Sequence, residues 1–375
     1  MTVEVRETPL GGNLKPFLDV VDLIYRGDCC YVRPLDLEMK DRLSRKNPFF
    51  EHGEGTTFTA WKQGRCVGRC TAQIDREHLA RYKDDCGFFG VFDTIDDPEV
   101  ASALLDQATA WVQRRGMKKL RGPMSLSIND EIGLLVEGFD SPPFIMMPHH
   151  RPYQGSLVET AGLQKLKDLY AWKYEIGSLP ERARKAHAAI NEMPEVTARH
   201  VDPKHMERDI RIVMDIFNDA WSDNWGFVPL TQGELRKMAS DMKLILIPEL
   251  STIVEIEGKP VGVAIALPNI NEMMGDLNGK LLPLGLLKLL WRLKVKGPRS
   301  ARLIILGISR KLRQVRRYAA LSTYMYVQMH KAGEKLGIKG GELSWTLEDN
   351  APVNLGIKFM GGKVHKRYRI YQKEV

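Results

Sequence analysis

Gly64-Arg65-Cys66-Val67-Gly68 in the first half of the chain and Gly258-Lys259-Pro260-Val261-Gly262 in the second use the same short device. Each is a glycine-bounded turn between two β-rich runs, residues 57–62 and 66–74 around the first, 252–256 and 261–267 around the second. Glycine gives a tight turn its backbone freedom, so each pentapeptide predicts a hairpin. Strand-like apolar runs follow at 87–92 and 303–308, and each leads to a helix. The first helix spans 98–115, with Asp97 at its cap, Pro98 at its first position and Gly116 beyond its end. The second runs from about Tyr318 to Lys335, with Met325, Met329, Ala332 and Leu336 on one face.

Gly116 and Gly337 stand 221 residues apart, as do Asn129 and Asn350, whereas the hairpin glycines stand 194 apart. The difference of 27 residues falls at 271–300, where the second half carries extra sequence. A constant offset on either side of one insertion predicts a duplication. Each half reads helix, hairpin, strand, loop, helix, strand, tail. That plan is α+β (mixed α/β): a twisted mixed sheet with helices on both faces. The expected domains are 1–178 and 195–375, joined by a linker at 178–195 between Pro180 and Pro194.

Hydrophobic residues make up 43% of the chain and charged residues 27%, the balance of a globular protein rather than a disordered or fibrous one. No run approaches the ~18 apolar residues of a membrane span, and residues 1–15 lack a secretory pattern. The five cysteines, Cys29, Cys30, Cys66, Cys70 and Cys86, are odd in number and crowded into the first quarter. They read as reduced thiols of a cytoplasmic protein, with no metal site. The net charge is +8, but residues 280–317 hold twelve Lys and Arg and no acid, so without them it falls to −4. A local basic block points to an anionic partner at one place.

Much of that block lies between the fourth strand and its helix in the second half: Gly307-Ile308-Ser309-Arg310-Lys311-Leu312-Arg313-Gln314-Val315-Arg316-Arg317-Tyr318-Ala319-Ala320. A helix start offers free N–H groups and the positive end of a dipole, and arginines grip phosphate in bidentate fashion. Arg310, Arg313, Arg316 and Arg317 therefore read as a polyphosphate cradle, or else as a solvated basic face. The equivalent loop of the first half carries Asp93, Asp96, Asp97 and Glu99, which repel a diphosphate.

This segment resembles the pyrophosphate-binding loop of GNAT acyltransferases, with Arg316 in the leading position, Ala319 at the first glycine and Leu321 at the last position. Longer strings resemble a bacterial double-GNAT family that includes bacterial ceramide synthases. They are Asn129-Asp130-Glu131-Ile132-Gly133-Leu134-Leu135, Ser141-Pro142-Pro143-Phe144-Ile145-Met146-Met147, Asp168-Leu169-Tyr170-Ala171-Trp172 and Ala220-Trp221-Ser222-Asp223-Asn224-Trp225-Gly226-Phe227-Val228-Pro229. The tail at 344–350 and Tyr368-Arg369-Ile370-Tyr371 matches as well.

The resemblance implies acyl-CoA as co-substrate without a metal, an amine acceptor, and direct transfer in a ternary complex. Within the family this extends to a long-chain acyl group and a sphingoid-type amine lipid. Leu306, Gly307 and Ile308 would pair with the pantetheine arm, and Arg310, Arg313, Arg316, Arg317, Tyr318 and Ala319 would hold the diphosphate. A carboxylate would take a proton from the amine. The candidates are Glu342 and Glu348, then Asp219, Asp223 and Glu255. Asn350 holds a catalytic water or forms a turn, and Tyr371 or Tyr368 protonates the leaving thiolate. Asp223, Asn224 and Trp225 are expected at the acceptor end, where Trp221 and Trp225 line a pocket or pack the core. His149 and His150 read as structural.

Residues 281–295, Leu-Leu-Pro-Leu-Gly-Leu-Leu-Lys-Leu-Leu-Trp-Arg-Leu-Lys-Val, combine apolar and basic character and are too short to span a bilayer. They suit a peripheral helix on the anionic inner face of the cytoplasmic membrane, a lid over an acyl chain, or ordinary packing. Two other functions compete: a non-catalytic acyl-CoA- or lipid-binding protein, and an aminoacyl-tRNA-dependent transferase. Nucleic acid is disfavoured because no array of base-stacking aromatics accompanies the basic block.

Overall fold

The computed structural model describes residues 2–375. Thirteen strands form one sheet: β1 (Glu4–Pro9), β2 (Gly53–Lys62), β3 (Arg65–Asp75), β4 (Cys86–Thr94), β5 (Lys119–Gly122), β6 (Leu134–Glu137), β7 (Gln164–Glu175), β8 (Val196–Arg199), β9 (Ser251–Ile256), β10 (Lys259–Pro268), β11 (Ser300–Ile308), β12 (Gly340–Leu347) and β13 (Lys363–Glu374). The spatial order is β1-β2-β3-β4-β5-β13-β7-β12-β11-β10-β9-β8, with β6 also paired to β13. Read inward from either edge it is the same plan, five strands of one half and then the last strand of the other. The duplication is thus visible as a pseudo-twofold arrangement, with the final strands exchanged.

Alternation along the strands assigns the two helical layers. In β3, Cys70 and Ala72 face the helix Pro98–Gln113, while Arg69 reaches the opposite layer, where it donates to Phe17 O. In the second half Ile253, Val263 and Ile265 pack beside the helix Met206–Trp221, and Val254 and Ala264 beside the helix Leu321–Lys335. Asp97 caps Pro98–Gln113 as its sequence demands, its carboxylate accepting from Glu99 N at 3.0 Å.

Both halves splay where a parallel pair parts. β4 and β5 stay together from Cys86–Phe88 against residues 119–121, and β11 and β12 from residues 300–303 against 340–343. The parting strand itself carries the irregularity: Gly90 to Asp93 of β4 spans one residue more than Thr71 to Arg69 of β3, and Leu303 to Ile305 of β11 one more than Ala266 to Ile265 of β10. Bulges of this kind bend a strand and re-aim its side chains.

Residues 178–195, expected to join the halves, are not without structure of their own: Glu181–Asn191 is a helix that buries Ala183, His187 and Ile190, with His187 stacked on Tyr324. That i, i+4, i+7 spacing is an amphipathic stripe hidden in an alanine- and charge-rich run. The last helix begins at Leu321 rather than Tyr318, since Arg316–Tyr318 forms a separate 3-10 turn.

Strand β13 contributes Tyr371 to the core of the first half, and Tyr368 and Ile370 to a cluster shared by both. A chain ending at Gly362 would leave β5 and β7 each with an open edge. We expect it to lose cooperative thermal unfolding throughout, read by near-ultraviolet circular dichroism. One half retaining its native melt would contradict a shared core.

Candidate active site

The basic loop is tied down more tightly than its charge alone suggests. Asp219, at the end of the helix Met206–Trp221, accepts from Ser309 Oγ and Arg310 N, each at 2.8 Å. Burial opposes its charge, but those hydrogen bonds and the Arg310 guanidinium hold the Asp219 carboxyl below its usual range. Asp223 also pairs with Arg310, at 3.0 Å. Arg313 donates to Ala220 O, and Arg317 pairs with Glu195. Arg316 and Lys311 have no ion pair among the described residues and are exposed. Ala320 starts the helix without a side-chain cap, where Asp97 fills the same position in the first half. The electrostatic asymmetry between the loops therefore persists in the fold. Gly307 has another duty: a Cβ there would lie 2.3 Å from the Trp221 ring, so the glycine is needed for close packing. Leu306 and Ile308 pack into the hydrophobic core of the second half.

The four residues expected to be catalytic are dispersed. No hydrogen bond joins any two of them among the described residues. Glu342 is wholly buried; it accepts from Ser344 Oγ at 2.5 Å and lies 2.7 Å from His365 Nε2. Glu348 binds Lys165 and Asp168 N. Asn350 caps residues 351–359, accepting from Val353 N. The Tyr371 hydroxyl donates to Glu159 at 3.1 Å, deep in the first half. Asn224 and Trp225 lie away from the cavities described below; Trp225 sits under Arg121 and Lys167.

Two of the strings that carry the family resemblance, 129–135 and 141–147, do converge. A partly open chamber of about 740 Å³ is lined by Asn129, Asp130, Glu131 and Gly133, by Pro143 and residues 145–150, and by Leu230. Val91, Phe92 and Asp93, beside the β4 irregularity, form another wall. The insertion closes it with Met274, Leu281, Leu286, Leu289, Leu290 and Leu293. The walls are largely Leu, Met, Ile, Phe and Val. Hydrogen bonds knit the chamber across the two halves: Arg302 to Ile145 O at 2.8 Å, Ile145 N to Asn269, and Asn129 to Val228 O.

Its polar groups are strongly perturbed. Burial pushes Asp130 up to about 6, against Arg42 and the two hydrogen bonds from Ser127. Burial also lowers His150 to about 4, so its imidazole is neutral. Its Nδ1 accepts from Leu135 N at 3.0 Å, which puts the ring proton on Nε2. Asp93 is kept ionised, despite burial, by Arg69 at 2.7 Å, and the Tyr25 hydroxyl donates to it. A second, polar cleft of about 1030 Å³ shares Tyr25, Tyr31, Val32 and Asn271 with the chamber wall, and Asp28, Lys173 and His365 face it. His149 and His150, read from sequence as structural, both line the chamber. The signal was present in the sequence as a His-His pair after Pro148, but only tertiary placement distinguishes a wall from a loop. Among the described residues no cluster of three or more His, Cys, Asp or Glu is placed to hold a metal.

No protein-family model matches the sequence. The chain is 38% identical over 363 residues to Protein YghO of Escherichia coli (strain K12), covering 97% of this chain and 93% of that one. It is 40% identical over 366 residues to a bacterial ceramide synthase of Caulobacter vibrioides (strain NA1000 / CB15N), covering 96% and 94%. Two solved structures share the fold: a tandem GNAT protein from the clavulanic acid biosynthesis pathway and a GCN5-related N-acetyltransferase from Sphaerobacter thermophilus. The first has a TM-score of 0.59 at 10% identity over 99% of this chain and 98% of its own. The second has 0.55 at 13% identity over 99% and 95%.

The raised Asp130 gives a stability test. A carboxyl that binds protons more tightly when folded costs stability once pH exceeds its unfolded value, and the full cost is present above about 6. Asp130→Asn should therefore be more stable than the parent at alkaline pH, by roughly 1–3 kcal/mol. The gain should vanish in acid below the ordinary aspartate range. Equal urea midpoints for parent and variant at both pH values would contradict the assignment.

Proposed function

The chain belongs to the double-GNAT acyltransferase family that includes bacterial ceramide synthase, and on that premise we propose that it moves a long-chain acyl group from acyl-CoA to the amine of a sphingoid-type lipid. One observation carries the acceptor half of this reading. The chamber is apolar over most of its wall, yet its charged groups are Glu38, Asp41, Asp93, Asp130, Glu131, Glu234 and Asp241 against only Arg42, Arg69 and Lys237. A fatty acid or a diphosphate is repelled by that excess of carboxylates. A cationic head on a hydrocarbon tail satisfies both features. The volume falls in the ~300–1,000 Å³ range of ligand cavities.

The donor's diphosphate then belongs on the basic loop, where Arg316 and the uncapped start of Leu321–Lys335 support it. Arg310 serves chiefly to fix the loop through Asp219 and Asp223. The thioester would lie where β11 and β12 part, on the side where Arg302 grips the chamber loop through Ile145 O.

The insertion supports peripheral membrane contact. Its helix Gly285–Trp291 turns Leu289 inward together with Met273, Met274, Leu277 and Leu293. The other face exposes Leu282 at 80%, Leu284, Leu287, Trp291 at 50% and Val295. Lys280 and Lys294 have no ion pair among the described residues, and Lys296 sits over the Trp291 ring at 4.8 Å. Apolar side chains beside unpaired lysines are the composition of a segment that rests on an anionic bilayer. Among the described residues no helix is long and apolar enough to cross one.

Acyl-CoA and a long-chain amine should release free thiol. Shortening the amine by one methylene should lower kcat/KM roughly fourfold while the tail remains inside the chamber. Met238→Trp, which narrows the chamber, should raise KM for the amine alone; Arg316→Ala should raise it for acyl-CoA alone. Absence of thiol release with every long-chain amine would sink the reading. In a separate assay, replacing Leu284, Leu287 and Trp291 together by Asp should abolish flotation with phosphatidylglycerol vesicles; undiminished flotation would remove the membrane contact.

A further inference from the structure

We propose that His149, held by Asp28, is the base that takes a proton from the acceptor's ammonium group; this rests on the amine-amphiphile reading above and assigns its chemistry to the first half of the chain. The His149 side chain is 1% exposed, and its Nε2 lies 3.0 Å from Asp28 Oδ2. His149 lines the apolar chamber and Asp28 the polar cleft, so the pair spans the partition between them. An amphiphile with its tail in the chamber would bring its head to this seam.

A carboxylate beside Nε2 draws the ring proton of a neutral imidazole to that nitrogen and leaves the lone pair on Nδ1. His149 Nδ1 is buried and has no hydrogen-bond partner among the described residues. A buried polar atom left unpaired is destabilising, and a ligand N–H at that position would relieve it. Burial lowers the proton affinity of the ring, against the pull of Asp28, so the free base is present at neutral pH. The charged groups that bear on it are Asp28, with Arg151 on its far side at 3.3 Å, Lys366 of β13 and Asp93 of β4. The Tyr25 hydroxyl, whose proton goes to Asp93, lies 2.9 Å from His149 O, its ring stacks on Tyr31, and His150 follows in the chain.

The neighbouring imidazoles differ in what they can do. His150 carries its proton on Nε2 and can only donate in its present bonding. His365, 2.7 Å from Glu342, is also held by a carboxylate, but it opens on the polar cleft and not on the chamber.

In the step itself, the ammonium gives one proton to His149 Nδ1. The freed nitrogen pair attacks the thioester carbonyl carbon, forming the C–N bond while the C=O π pair moves to oxygen. Collapse of this centre restores C=O and breaks C–S, and the electron pair leaves on sulfur. The imidazolium passes its proton to that thiolate, and the second nitrogen proton goes to solvent, leaving amide and free thiol.

The test uses the full chain with acyl-CoA and a long-chain amine, with thiol release and amine binding measured separately. His149→Gln should lower kcat by about 10²-fold or more while still binding the amine. Asp28→Asn should move the acidic limb of kcat/KM to lower pH, because the carboxylate is what raises the proton affinity of His149; a purely structural role would leave that limb in place. Should His149→Gln fail to fold, the Asp28→Asn profile decides. The proposal is overturned if His149→Gln keeps kcat within about threefold of the parent, if the limb does not move, or if His365→Gln alone reproduces the loss. Failure of the parent chain to release thiol with any long-chain amine would strike the underlying functional reading instead.

Discussion

Strands β7 and β13 lie side by side at the centre of the sheet, each having crossed out of its own half, and their pairing fixes everything around them. Nine residue pairs hold the ladder, with register shifts near His365 and Tyr371. Asp168 of β7, completely buried, accepts two hydrogen bonds from Arg369 of β13, at 2.8 and 3.2 Å. Burial opposes the Asp168 charge, but Arg369 and Lys165 keep the carboxyl below its ordinary range. Losing Arg369 would leave this carboxylate to the more exposed Lys165, so the pair specifies the exchanged arrangement as well as stabilising it. Because the halves cannot slide or rotate apart, loops of the first half can be used as walls for a cavity completed by the second.

With the halves so joined, electrostatics on the proposed reading sorts two dissimilar reactants. The acidic chamber and the basic loop are separate places on one sheet, and the same structural position is filled by Asp97 in one half and left uncapped at Ala320 in the other. On the proposed reading the duplicated fold divides its work: the second half, with its uncapped helix start, takes the polyanion, while the first, its helix start closed by its own carboxylate, contributes side chains to a cavity for a cation. The buried carboxylates of this cavity are costly in isolation. Arg42 between Glu38 and Glu131, and Arg69 against Asp93, offset much of that cost.

The hairpins, the fourth strands, the Asp97 cap and the duplication were legible because each is written in local periodicity or turn chemistry. The helix Glu181–Asn191 was not, since its buried stripe is Ala183, His187 and Ile190, one small, one polar and only one large apolar side chain. Strand exchange leaves no local trace: β13 reads as a tail whichever half it joins. The basic loop was legible as charge, but its anchoring by Asp219, Asp223 and Glu195 was not, because those acids lie far away in sequence. The chamber was the least legible of all. Asp130, Glu131, His149 and His150 are polar residues in loop-like sequence, and Leu286, Leu289 and Leu293 are leucines in an insertion. Only their meeting in space makes a wall.

The position of β13 also sets an order on biosynthesis. During translation the first half emerges with β5 and β7 already made, and folding of a domain normally proceeds as soon as its own residues are available. Here the strand that must lie between them is the last of the thirteen to leave the ribosome. The nascent first half therefore waits through the whole of the second with hydrogen-bonding edges open, a state that invites pairing with a neighbouring nascent chain. A swapped dimer, in which two polypeptides trade their final strands, is the error this topology makes most accessible.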